Sequence, residues 1–207
     1  MSAAARERAA LVDTMRAAGP DAPTLCGDWT TRDLAAHLIL RERRPDAAAG
    51  ILISRLAGYT ARKQRELSDR TQWPELLTLV ASGPPLYSPL KLLDPVVNTT
   101  EMFIHHEDVR RAGTGWQPRK LDADLAAALR KQIRLAIRMS LGKAPAAVTL
   151  RDTDGTTLAS IGSGEPCVIT GAPPELLLFL SGRDAAEVEF TGDDSTVAAV
   201  RAARRGL

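Results

Sequence analysis

With 207 residues and 27 Lys and Arg against 25 Asp and Glu, the chain is close to neutral and long enough for one large or two small domains. It is 44% hydrophobic and 25% charged, an ordinary globular balance, but only 4% aromatic, so Leu, Ala, Val and Ile must fill the core. No basic run with interleaved aromatic residues is present, which argues against nucleic acid as a partner. The longest apolar runs, Ala47 to Ile53 and Leu176 to Leu180, are too short to span a bilayer. Charges at Arg6, Glu7, Arg8 and Asp13 break up any signal-peptide core, so a soluble cytoplasmic protein without a membrane partner is expected. Cys26 and Cys167 form no Cys-x-x-Cys pair and suggest no disulfide framework.

In chain order, Ala3 to Ala17 reads as a helix closed by Gly19-Pro20. A second helix opens at Trp29-Thr30-Thr31-Arg32-Asp33. Thr30 and Asp33 have the spacing of a capping box, and Trp29 just ahead can staple onto Leu34. The helix continues through His37, Leu38 and Arg41. A lone histidine on an apolar helix face is commonly a satisfied core residue, so His37 becomes a ligand candidate only with partners. Cys26 precedes this helix and could approach a site at His37, although an inert buried thiol is the commoner role. Arg41 lies one turn beyond His37 and Arg44 nearly two, so both could overhang such a site and receive an anionic substrate group. A solvated basic turn near a helix C-terminus accounts for them equally. Pro45 is expected to kink or restart the helix.

Residues 46–57 and 60–67 read as further helical pieces divided by Gly58, and Pro74 marks the first turn of a short helix. The stretch from Gly83 to Pro89 is a loop that no helix can cross. After Asp94-Pro95, the run from Asn98 to Arg111 reads as a helix on which Val97, Glu101, His105 and Asp108 share a face. A carboxylate and an imidazole one turn apart can both reach one divalent cation, as in bundle metal sites. The chain has three histidines: two lie in this run and the third is His37. Two imidazoles and one carboxylate are as many protein ligands as a catalytic zinc takes, with a further position open. His106 points about 100° away from His105 and is not expected to ligate. Asp108 could hydrogen-bond a ligand from behind, or pair with Arg111. Four principal helices with short connections make the first part a bundle.

Leu121 to Leu141 is another helix, striped by Leu125, Leu129, Ile133 and Ile137. Beyond Gly142 the pattern alternates. Residues 148–151 and 157–161 read as a hairpin around Asp154-Gly155, with further strands over 167–170 and 187–190. A helix opening at Pro173-Pro174-Glu175 ends at Ser181-Gly182, and a short one starts at Ser195. The expected class is α+β, with a helical bundle over residues 1–115 and a small α+β domain over 116–207.

The run Trp29-Thr30-Thr31-Arg32-Asp33-Leu34-Ala35-Ala36-His37-Leu38, followed by Glu101-x-x-x-His105-x-x-Asp108, resembles the mycothiol-dependent maleylpyruvate isomerase family of DinB-like metal-binding four-helix bundles. The resemblance implies metal ligands at His37, Glu101 and His105, and a C-terminal domain distantly similar to sterol-carrier proteins. The segment from Arg41 to Asp46 and the doubled His105-His106 resemble an uncharacterised metal-binding subgroup rather than the isomerase itself. The implied cofactors are a divalent metal, Zn2+, and mycothiol or another low-molecular-weight thiol. The implied activity is transfer or isomerisation of a small electrophile, with the bound thiol deprotonated by the ion and acting as nucleophile. A metal-dependent hydrolase that activates water and a non-catalytic binding module are the alternatives. A small-molecule substrate and a monomer or homodimer complete the expectation.

Overall fold

The computed structural model describes residues 1–44, 46–47, 53–86, 88, 98–203 and 205–206. The expectations for Pro45, for residues 48–52 of the 46–57 helical piece, for Tyr87 and Pro89 of the following loop, and for Asp94-Pro95 and Val97 lie outside the described residues. Helices and one four-stranded sheet give an α+β fold. The chain divides into two compact units, Met1–Gln117 and Pro118–Leu207.

In the first unit, α1 is Ala3–Ala18, α2 Thr31–Arg43, α3 Ala57–Arg70, α4 Trp73–Ser82 and α5 Thr99–Arg110, with a 3-10 turn at Ser54–Leu56. The start of α2 is fixed by the capping box: Asp33 N–H donates to Thr30 Oγ1 at 3.3 Å, and Thr30 N–H to Asp33 Oδ2 at 3.0 Å. Gly58, expected to divide two pieces, instead sits in the first turn of α3. Glycine costs a helix only about 1 kcal/mol of backbone entropy, so the helix passes through it. The core gathers Leu11, Val12 and Met15 of α1, Leu34, Ala35, Leu38 and Ile39 of α2, Leu76, Leu77 and Val80 of α4, and Met102 and Val109 of α5. Trp29 packs against the same cluster, just ahead of the cap.

α5 is buried along most of its length although it is rich in charge, so its polar groups must find partners inside. His106 Nδ1 lies 2.8 Å from Glu7 Oε1 and its Nε2 2.8 Å from Thr14 Oγ1, which ties α5 to α1. Arg111 Nε donates to Glu107 Oε2 at 2.6 Å, and the Arg111 guanidinium stacks over Trp116 with 4.4 Å to the ring centroid.

The second unit contains α6 (Ala123–Leu141), β1 (Ala147–Arg151), β2 (Thr157–Ile161), β3 (Pro166–Thr170), α7 (Pro173–Leu180), β4 (Glu189–Gly192) and α8 (Asp194–Ala202). The sheet order is β2-β1-β3-β4, with β1 antiparallel to β2, parallel to β3, and β3 antiparallel to β4. Alternation buries Val148, Leu150, Cys167 and Ile169 on one face, and α6 packs on α7. The Asp154-Gly155 turn closes the β1–β2 hairpin with Gly155 at φ 88. β4 begins two residues later than the alternation suggests. Its ladder with β3 runs from Thr170↔Glu189 to Cys167↔Gly192, while the Glu187 N–H is taken by Glu175 Oε2 at 2.9 Å. No helix among the described residues is long and apolar enough to cross a membrane.

Candidate metal centre

His37 stands on the second turn of α2, a position set by the capping box at Thr30, and Glu101 and His105 stand one turn apart on α5. One donor atom from each of these three residues lies within 4.8 Å of the other two. The His37 and His105 rings meet edge to face at 5.6 Å between centroids, and Trp29 covers the other side of His37 at 5.0 Å. His105 Nε2 is 3.3 Å from Glu101 Oε1, and its Nδ1 is 2.8 Å from Asp108 Oδ2. The imidazole therefore faces Glu101 with one nitrogen and is held from behind through the other.

His37 has a different support. Gln64 of α3 hydrogen-bonds it and also donates its amide Nε2 to Asp33 O at 3.4 Å. Arg41 of α2 lies with Nε 3.4 Å from Glu101 Oε1 and donates Nη1 to Asn98 Oδ1 at 3.0 Å. Asn98 precedes α5 but makes no side-chain cap bond; its amide oxygen serves Arg41 instead.

These contacts set the protonation states. Burial, and then the neighbouring His105 charge, lower the His37 pKa to about 4, so it is a neutral donor at physiological pH. For Glu101, burial works toward the acid form. The contacts with His105, Arg41 and His37 outweigh it and bring the pKa down to about 2. For His105, burial favours the neutral ring, but hydrogen bonds to Asp108, Cys26 and Glu101 prevail and hold its pKa well above 6.5.

Residues 1–156 match the family model of the mycothiol maleylpyruvate isomerase N-terminal domain. The chain belongs to this family. No curated protein and no solved structure matches it significantly. The resemblance to this family implies a divalent metal, and the donors present in this member fit one. Two imidazoles and a carboxylate converge, one imidazole is neutral, the carboxylate is ionised, and Asp108 backs His105 in a carboxylate–histidine arrangement.

The other residues singled out in this member's sequence lie as follows. Arg44 makes a salt bridge with Asp46, Nη2 to Oδ2 2.7 Å, and both side chains are half exposed. His106 turns to α1. Arg111 pairs with Glu107, and Asp108 meets His105. Cys26, expected to be an inert buried thiol, is only partly buried and donates Sγ–H to Asp108 Oδ2 at 3.0 Å. Gln64 and Asn98 were not singled out by sequence. The signal for Gln64 is a polar stripe, Thr60, Gln64 and Ser68, at helical spacing and buried throughout. Asn98 carries no comparable signal.

Proposed function

We propose that His37, Glu101 and His105 hold one divalent cation, zinc, and that the chain is a thiol-dependent transferase or isomerase acting on a small electrophile, with mycothiol as the thiol. The observation that carries this reading is the convergence of three donors within 4.8 Å, from two helices, with His37 and Glu101 64 positions apart in sequence. Mixed imidazole and carboxylate donors, three in number, suit zinc with a position left open. When bound, such an ion supplies a positive charge that removes the proton from a coordinated thiol. The chain's own residues do the rest. Asp108 keeps the His105 ring turned so that Nε2 faces Glu101. Arg41, beside Glu101, supplies positive charge where an anionic substrate group could lie, with Arg44 as a more exposed second cation. Family membership supports reading the helical unit as a DinB-like four-helix bundle; the second unit is read as a sterol-carrier-like domain from the sequence resemblance alone. The same reading keeps a small-molecule substrate and a monomer or homodimer.

Elemental analysis of the purified protein, followed by a conjugation screen with mycothiol beside simpler thiols, tests the proposal. About one metal per chain is expected at these three ligands, lost on His37→Ala or His105→Ala, with turnover that disappears when the thiol is dialysed away. Full metal occupancy in His105→Ala would overturn the ligand set. Metal-dependent turnover indifferent to thiol would put the hydrolase ahead.

A further inference from the structure

On the far side of the His105 ring is a second group of donors that the cation proposed above does not use. Cys26 Sγ lies 3.0 Å from Asp108 Oδ2 and 3.9 Å from His105 Nδ1, and His105 Nδ1 lies 2.8 Å from Asp108 Oδ2. One donor atom from each thus falls within 4.8 Å of the others. We propose that Cys26, Asp108 and His105 Nδ1 form a separate binding site for a soft, thiophilic divalent cation, on the opposite nitrogen of the ring that serves the first.

The dimensions fit. A tetrahedral cation with bonds of about 2.0–2.1 Å to N and O and about 2.3 Å to S holds its donors roughly 3.3–3.6 Å apart. The Asp108–His105 separation needs to open by about half an ångström and the Cys26–His105 separation to close by slightly less. The thiolate sets the preference for a soft ion, since a carboxylate and an imidazole alone accept harder ones. The frame is prebuilt on both sides. Leu25 N–H donates to Asp108 O at 3.1 Å, which pins the residue before Cys26 to α5. Cys26 N–H donates to Thr24 Oγ1 at 3.1 Å, and Thr24 Oγ1 donates to Trp29 O at 2.8 Å, so the loop is closed on itself. Cys26 is partly exposed while His105 and Asp108 are buried, so an ion enters from the sulfur side. Binding is an acid–base exchange without redox change: the Sγ–H proton and the Nδ1–H proton, both directed at Asp108 Oδ2, pass to solvent as the bonds from S and N to the cation form, and with both cations bound the His105 ring, having lost both N–H protons, bridges them as imidazolate.

Cadmium titration of the full chain tests this, followed by the thiolate-to-cadmium charge-transfer absorption in the ultraviolet. The wild type should take up about two equivalents, one of them with the sulfur band. Cys26→Ser should lose the band and one equivalent, whereas Cys167→Ser should keep both. His37→Ala should lose the other equivalent and keep the band; retention of both equivalents there would count against the first site while leaving this one standing. Cadmium-113 NMR on the wild type gives a reading independent of mutant folding, because a sulfur-ligated resonance must appear beside one with only nitrogen and oxygen donors. No sulfur-ligated resonance in the wild type, or a band that survives Cys26→Ser, overturns the proposal. So does a single equivalent that carries the band and is lost on His37→Ala.

Discussion

Uptake of the first metal should expel close to one proton at neutral pH, and the ligands' environments say which one. At pH 7 His37, with a pKa of about 4, is already neutral, and Glu101, at about 2, is already ionised. His105, held well above 6.5, still carries the proton on the nitrogen that faces Glu101, where the cation would have to bind. Protons and metal then compete at His105, and apparent affinity should fall about tenfold for each pH unit below its pKa, about 1.4 kcal/mol per unit. Between pH 7 and pH 5 that amounts to roughly 100-fold. Below about pH 4 His37 takes up a proton too, and the slope steepens. The two histidines act oppositely on the metal-free fold. His105, raised in the folded state, stabilises it below pH 6.5 and ceases to as pH rises through its folded pKa. His37, lowered from 6.5 to about 4, withdraws roughly 3 kcal/mol as pH falls across that window. Calorimetry at pH 6 and 7, in buffers of different protonation enthalpy and with Cys26→Ser to silence the sulfur side, counts the protons. No buffer dependence at pH 6, or an affinity flat between pH 5 and 7, would refute the assignment of the displaced proton to His105.

Asp108→Asn should keep the fold but weaken metal binding by roughly 10–100-fold, read by competition with a chelator, because the ring loses its anionic backing. His106→Ala should keep full metal content yet lose about 1–3 kcal/mol in denaturant unfolding, since its ring joins Glu7 and Thr14 across the α1–α5 interface. Arg41→Ala should raise the substrate KM more than it lowers metal content, its role being electrostatic positioning; equal loss of metal would make it a support for Glu101 instead.

What the sequence disclosed was local. The capping box is legible because its partners sit three residues apart, and the β1–β2 hairpin because Asp154-Gly155 lies between alternating runs. Glu101 and His105 share a face because one helical turn separates them. His37 entered only through the scarcity of histidine and the motif around it. The contacts that could not be read are those where spacing permits two answers or none. Arg111 can reach Glu107 at four residues or Asp108 at three, and Asp108 can also reach His105 at three; spacing alone does not rank these contacts. Asn98 meets Arg41, 57 positions away, and no spacing in the sequence points to that contact. The start of β4 is set by where β3 presents its ladder, not by alternation within β4.

The loop before α2 explains how two helices so distant in sequence bring histidines together. Thr31 N–H donates to Ala22 O at 2.9 Å and Pro23 bridges Thr30, so the cap of α2 is locked onto the incoming loop. Three residues after Ala22, Leu25 N–H reaches Asp108 O, and Cys26 reaches the same residue's side chain. A short segment with its own internal hydrogen bonds thus spans from the first residue of α2 to the third residue beyond His105. Since His37 is fixed by its distance from the cap, and His105 by its distance from Asp108, this segment sets the separation of the two rings. Asp108 therefore acts twice. Its carboxylate orients His105, and its backbone carbonyl anchors the loop that places His37. Substitutions of its side chain should disturb the first role and spare the second, which is why Asp108→Asn isolates ligand basicity from ligand placement.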